Sequence, residues 1–288
     1  MSLGFGGDVA EFYAEYRRGY PPEVIEVLRE TFALTPDDTA LDIGCGTGQL
    51  TLPLAARLGH VVGLDPEPDM LRLARRTAER HGVANALWVL GADTDVPALG
   101  ALLGPRRPAL AAIGQALHWM RHEQLFAVLS ALLRTGGGVA VVANGAPAWQ
   151  QDSAWSRALR GALEEHFGTE LKDSCGTAAR DRERYAAALA AAGFTDVRHT
   201  EIRYAETLTF DRLVGGVCST VPEDLLPAPE DRPASAGHIR RALPPAATFT
   251  EDVRVSVLTG RIAAPATGTG AGTGTGTGTD GDTAAPRP

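Results

Sequence analysis

The sequence predicts an α/β fold: a doubly wound, mostly parallel sheet of seven strands with helices on both faces. Two observations carry that reading. From residue 39 onward, short apolar runs alternate with helical patterns, and such alternation builds parallel sheets. At the first alternation, Ala40-Leu-Asp-Ile-Gly-Cys-Gly-Thr-Gly-Gln-Leu50 passes from an apolar run through three alternating glycines into a helical pattern. Glycine lacks a Cβ and tolerates positive φ, so this turn lets a ligand press against backbone. The helix start behind it aims free N–H groups at the same place.

The elements follow in order. Residues 8–33 read as one or two helices, since Phe12, Tyr13, Tyr16 and Tyr20, then Val24, Ile25, Val27 and Leu28, recur at helical spacing around a Gly19-Tyr-Pro-Pro22 break. Thr39–Ile43 is a strand and Gln49–Leu58 a helix. His60–Asp65 is a strand and Asp69–His81 an Arg-rich helix. Leu87–Gly91 and Ala109–Gly114 are strands, Glu123–Leu133 is a helix, and Val139–Asn144 is a strand after the Gly136-Gly-Gly138 turn. Residues 149–170 and Arg182–Ala192 are helical. Val197–Leu208 and Glu251–Ile262 alternate as strands, with a helix and a Pro-rich loop across 210–247. The expected divisions are an N-terminal helical lid (1–38), a nucleotide-binding core (39–145), the C-terminal part of the sheet with substrate-side helices and a helical insertion before the last strands (146–265), and a disordered Gly/Thr-rich tail (266–288).

Composition narrows the function. A chain of 288 residues, 44% of them hydrophobic, buries a full core. Lys+Arg 27 against Asp+Glu 35 gives a net charge of −8 with no basic run, which argues against nucleic acid as a partner. Cys45, Cys175 and Cys218 are too scattered for a disulfide framework, and no metal-ligand cluster stands out. The start of the chain has no basic-then-apolar leader and no apolar run is long enough to span a bilayer, so a cytoplasmic protein without a membrane partner is expected.

The glycine loop departs from the dinucleotide pattern G-x-G-x-x-G, because Gln49 stands where the third glycine belongs. Asp65 ends the second strand, where a carboxylate accepts both ribose hydroxyls of a nucleoside. Asp93 follows the third strand, where it can take the exocyclic amine of an adenine while the Ala92 N–H meets a ring nitrogen. Ligands bind outside the carboxyl ends of parallel strands, so Asp42, Asp65, Asp93 and the loop Gly114–His118 are expected around one crevice. An adenosyl group without a pyrophosphate fits this set.

At these residues the chain resembles the class I S-adenosylmethionine-dependent methyltransferases, whose sheet is Rossmann-like. Leu41-Asp-Ile-Gly-Cys-Gly-Thr-Gly48, Val62-Gly-Leu-Asp65 with Met70-Leu71, and Gly91-Ala-Asp93 match successive motifs of that family. Tyr16-Arg-Arg-Gly-Tyr-Pro21 and Gln115-Ala-Leu-His-Trp119 are similar to a small-molecule subgroup that includes trans-aconitate methyltransferase-like proteins. Arg18 stands where that subgroup has proline, and Arg107-Pro-Ala-Leu110 replaces its F-D pair. The match covers roughly residues 8–145.

The resemblance implies S-adenosyl-L-methionine as cofactor, held by Asp42, Gly44, Cys45, Gly46, Gly48, Asp65, Pro66, Met70, Ala92, Asp93 and Gln115. Cys45 is assigned no thiol chemistry. Tyr13, Tyr16, Arg17, Tyr20 and Trp119 form the lid and acceptor wall, with Arg17 placed to pair with a carboxylate. Methyl transfer rests on positioning, and His118 is the candidate general base. The expected acceptor is a small molecule methylated on O, N or C, and the oligomeric state is left open. Two alternatives stand beside this: a protein that binds the same cofactor for cyclisation or regulation, and a nicotinamide-dependent dehydrogenase. Gln49 and the lack of a Tyr-x-x-x-Lys pair speak against the second.

Overall fold

The computed structural model describes residues 4–104, 107–171, 176–221 and 223–263. The expected Gly/Thr-rich tail from Ala266 lies outside the described residues.

The chain begins with helices α1 (Gly7–Tyr16) and α2 (Pro22–Phe32). There follow β1 (Thr39–Ile43), α3 (Thr51–Ala55), β2 (His60–Asp65), α4 (Pro68–Arg80), β3 (Ala86–Leu90), α5 (Val96–Leu103), β4 (Leu110–Gly114), α6 (His122–Leu132) and β5 (Gly138–Asn144). Helices α7 (Ala154–Phe167) and α8 (Ala179–Ala191) precede β6 (Thr195–Thr209), and α9 (Phe210–Cys218) and α10 (Arg232–Ala242) precede β7 (Thr248–Arg261). The strands form one sheet in the order β3-β2-β1-β4-β5-β7-β6. Strands β1 to β5 pair in parallel, and β7 runs antiparallel to β5 and β6.

The central strands are apolar on both faces because both faces are covered. Leu41 and Ile43 of β1 point to one side, where they join Val62, Leu64 and Ile113 under Phe126 and Leu129 of α6. Ala40, Val61, Leu110 and Ala112 point to the other, under Val24, Leu28 and Phe32 of α2. Helix α4 turns Met70, Leu71, Leu73, Ala74 and Ala78 inward, which leaves its arginines outside. The edge strand β6 carries exposed Arg198, His199, Glu201 and Arg203 on its flank, charges that discourage pairing with a further strand.

Three elements differ from the sequence expectation. Helix α3 is shorter than Gln49–Leu58, because the glycine loop runs on to Leu50. Helix α5 was not expected: its pattern is apolar all round and carries no helical period. Helix α10 occupies part of the expected Pro-rich loop. Pro233 sits in its first turn, where the missing N–H has no partner to lose. Among the described residues, no helix is long and apolar enough to cross a membrane.

Candidate active site at the carboxyl ends of the strands

The parallel strands end on one side of the sheet, and their last residues converge. Gly44 after β1, Asp65 and Pro66 after β2, Gly91 to Asp93 after β3, Gly114 and Gln115 at β4, and Asn144 at β5 all line one cavity of about 600 Å³. That volume suits a small-molecule site.

The turn after β1 needs its glycines. Gly44 has φ +73°, and a Cβ there would stand 2.5 Å from the Ala116 Cβ. Gly46 has φ +54° and lies directly under the Tyr13 ring, 3.6 Å from a would-be Cβ. Asp65 fixes the turn from below: Gly46 N–H donates to its Oδ2 at 2.8 Å and Glu67 N–H to its Oδ1 at 2.9 Å. Burial pushes the Asp65 carboxyl up and these two bonds pull it back. Each carboxylate oxygen retains a free lone pair, and Asp65 lines the cavity. An open cradle of glycine backbone beside such a carboxylate fits an adenosyl ribose.

Helix α1 roofs the turn. Tyr13, Tyr16 and Arg17 line the cavity from above, and the Arg17 guanidinium lies 5.4 Å from the Tyr13 ring centre. Helix α1 sits close on α9, because Gly215 leaves room for the Tyr16 ring that a Cβ would overlap. Burial first, and Asp211 and Glu15 after it, push the Tyr16 hydroxyl up to about 12. His118 and Trp119 line the near wall, with Trp119 55% exposed and its ring 6.1 Å from that of Phe5. Burial, reinforced by Arg17, holds His118 below the ordinary histidine range. Gln115 takes a left-handed φ of +56° and lines the cavity beside Asn144, as do Pro66 and Met70 on the β2 side.

Several sequence expectations need correction. Asp42 does not line the cavity: only 1% exposed, it lies behind the turn and accepts the Thr51 hydroxyl at 2.6 Å. Burial pushes it up to about 7. It alternates with Leu41 and Ile43 along β1, so it points into the opposite layer, under α3. Cys45 is buried against Gly63 of β2, and Gly48 faces Trp88 and Leu52, so neither borders the cavity. Tyr20 sets its hydroxyl against Gly114 from the far side of β4 and lies outside the cavity lining. The Ala92 N–H is donated to Asp95 Oδ2 at 2.8 Å, so the expected ring-nitrogen contact is already taken. Asp93 does line the cavity, and its Oδ2 accepts from Arg121 N–H at 3.3 Å.

Sequence reasoning assigned the substrate side of the cavity to the segment after residue 145 but named none of its lining residues. Trp149, Phe167, Leu208, Leu213, Val217 and Val253 line it together with Arg18, Glu206, Arg212 and Glu251. Apart from Arg18, which follows α1, these residues come from the insertions around α7 and α9 and from the strands β6 and β7, and no local pattern marks them. Among the described residues, no group of histidine, cysteine and carboxylate side chains is arranged to hold a metal ion.

Residues 40–137 match the methyltransferase-domain family. An uncharacterized methyltransferase of Mycobacterium bovis is 33% identical over 144 residues, 50% of this chain and 53% of that protein. A 23S rRNA (uracil(1939)-C(5))-methyltransferase of Klebsiella pneumoniae is 36% identical over 76 residues, 26% of this chain and 18% of that enzyme. The chain thus spans about half or less of the length of the curated relatives it matches. A provisionally assigned type II methyltransferase of Anaeromyxobacter dehalogenans superposes with a TM-score of 0.57 at 20% identity, covering 86% of this chain and 99% of that one. Residues 40–137 are therefore similar to a methyltransferase domain, and the sheet around them has the fold of the methyltransferase that superposes on it.

Proposed function

We propose that the protein transfers a methyl group from S-adenosylmethionine to a small-molecule acceptor. The observation that carries this reading is the convergence of Gly44, Gly46, Asp65 and Asp93 on one cavity that is also lined by Trp149, Leu208, Leu213 and Val253. The residues at the strand ends offer the polar groups an adenosyl moiety needs, and the apolar residues Trp149, Leu208, Leu213 and Val253 would face an acceptor. When bound, the cofactor supplies an electrophilic methyl on a sulfonium, which an acceptor takes by in-line displacement.

Asp65 would hold the ribose hydroxyls and Asp93 the adenine amine. Met70, Pro66 and Gln115 would flank the adenosyl group, and Gly44 and Gly46 would offer backbone at close range. Arg17 has no carboxylate within ion-pair distance among the described residues, so it would take the carboxylate of the cofactor's methionyl end. Tyr13, Tyr16 and Trp119 would exclude water above the reacting atoms. His118, whose burial favours the neutral imidazole, is suited to receive a proton from the acceptor.

A small molecule is favoured over RNA as acceptor. The chain carries a net charge of −8, whereas nucleic-acid affinity rests on phosphate contacts from basic side chains. Calorimetric titration with S-adenosylhomocysteine tests the cofactor half, and label transfer from the methyl donor to small acceptors tests the activity. An adenosyl site that binds but passes no label to any acceptor would favour a regulatory or cyclising role.

A further inference from the structure

The two edges of the sheet are built differently. The edge strand β6 carries exposed charges, whereas the opposite edge strand, β3, reads Ala86-Leu-Trp-Val-Leu90 with no charged side chain. Leu87 is 61% and Leu90 62% exposed, and Leu102 on α5, the helix that follows β3, is 84% exposed. Among the described residues these are three of the five large hydrophobic side chains open to solvent; the other two, Trp119 and Leu225, stand at the cavity. An uncharged edge strand with exposed leucines is a template for another chain.

The backbone of β3 is open on the same side. It pairs with β2 alone. At its two ends, Val61 N–H donates to Asn85 O at 3.0 Å and Gly91 N–H donates to Asp65 O at 3.1 Å. The bonds to β2 therefore fall on residues 85, 87, 89 and 91, and the N–H and C=O groups of Ala86, Trp88 and Leu90 point away from β2. Among the described residues none of these outward groups has a hydrogen-bond partner.

We infer that two copies of the chain pair through their β3 edges, antiparallel about a two-fold axis at Trp88. That register sets Ala86 against Leu90 of the second copy and Trp88 against its own mate, so every outward group of β3 finds a partner. Leu87 then faces Val89 of the second copy and Leu90 faces Ala86, a larger side chain beside a smaller one at each step. The charges agree with this direction. Exposed Arg80 and His81 precede β3, and Asp93 and exposed Asp95 follow it. An antiparallel pair lays the basic end of each copy along the acidic end of the other. On α4, Arg72 and Glu79 border a groove with Trp88 and Leu90, and the axis carries Arg72 toward Glu79 of the second copy. Arg75 and Arg76 lie between them, nearest the axis, and oppose the association.

Sedimentation equilibrium of the full chain over a dilution series tests this, with hydrogen exchange at the same concentrations. The mass should rise from 30.2 kDa in dilute solution toward twice that value. The amides of Ala86, Trp88 and Leu90 should exchange more slowly as the dimer forms. Two variants locate the contact. Leu87→Lys places a charge on the edge, and Ala86→Pro removes an outward N–H that the fold of one copy does not use. Each should raise the dimer dissociation constant by about tenfold or more, with the urea midpoint of the dilute protein near that of wild type. A chain that stays monomeric at every concentration overturns the inference, whether residues 264–288 or another protein cover the edge. So does a dimer whose β3 amides exchange at the monomer's rate, or one that both variants leave intact.

Discussion

Arg18, two residues beyond the end of α1, makes its ion pair with Glu251 on β7, 233 positions away along the chain. The Glu251 side chain is 4% exposed and Arg18 is 19% exposed, so the pair is largely out of water. It ties the N-terminal roof of the cavity to the last strand of the sheet. The same arginine stands where the subgroup that the N-terminal stretch resembles has proline.

Removing one partner of such a pair leaves a buried charge without compensation. Arg18→Met should therefore destabilise the protein by about 3 kcal/mol, read from chemical denaturation. The double variant Arg18→Met with Glu251→Gln should recover part of that loss, because the orphaned charge is gone. Equal stabilities of wild type and Arg18→Met would show that the pair contributes nothing.

Asp65 accepts from the Gly46 N–H of the glycine turn and is proposed to hold the ribose. Asp65→Ala should weaken S-adenosylhomocysteine by about 1–3 kcal/mol through lost charge-assisted hydrogen bonds. Isothermal titration calorimetry measures this directly. Unchanged affinity would take Asp65 away from the ribose.

Asp42 should leave a mark on stability against pH. Its carboxyl is raised by burial to about 7 in the folded protein, against about 3.9 in an unfolded chain. A raised value means that the folded state binds the extra proton. The stabilisation is complete below about pH 4 and is lost as pH climbs through 7, at up to about 1.4 kcal/mol per pH unit. Asp42→Asn keeps an acceptor for the Thr51 hydroxyl and has no proton to lose. Urea midpoints of wild type should therefore fall relative to Asp42→Asn between pH 4.5 and 6.5. Parallel midpoints across that range would contradict the buried assignment.

How much of this was legible beforehand depends on distance along the chain. The bounds of β1 and β2 follow from apolar runs that end in Asp42 and Asp65. The glycine turn and the third-strand Asp93 follow from short motifs, because a backbone cradle is written in consecutive residues. Asp42 is misplaced in the crevice when the motif is read without its strand period: Leu41 and Ile43 on either side are core residues, so Asp42 points into the opposite layer. The Thr51 hydroxyl that it accepts lies only nine positions on. The individual residues on the other side of the cavity left no such trace: Trp149, Leu213 and Glu251 come together only through the crossovers around α7 and α9. Helix α5 escaped because a pattern that is apolar all round has no period to read.

His118 carries the proposed proton transfer. Burial and Arg17 hold it below the ordinary histidine range, so the neutral, proton-accepting form predominates at neutral pH. The acid limb of the rate profile should then lie below about pH 6.5, and His118→Gln should remove that limb and slow turnover by about a hundredfold. Coincident profiles for the two proteins would assign His118 to packing against Trp119 alone.

The central claim is an adenosyl site without a pyrophosphate, built on Gly44, Gly46 and Asp65. Calorimetric titration of the full chain with S-adenosylhomocysteine and, separately, with NAD tests it most directly. The predicted result is a micromolar dissociation constant for S-adenosylhomocysteine, about −8 kcal/mol, with no measurable heat from NAD. Preferential binding of NAD, or no binding of S-adenosylhomocysteine, would contradict it.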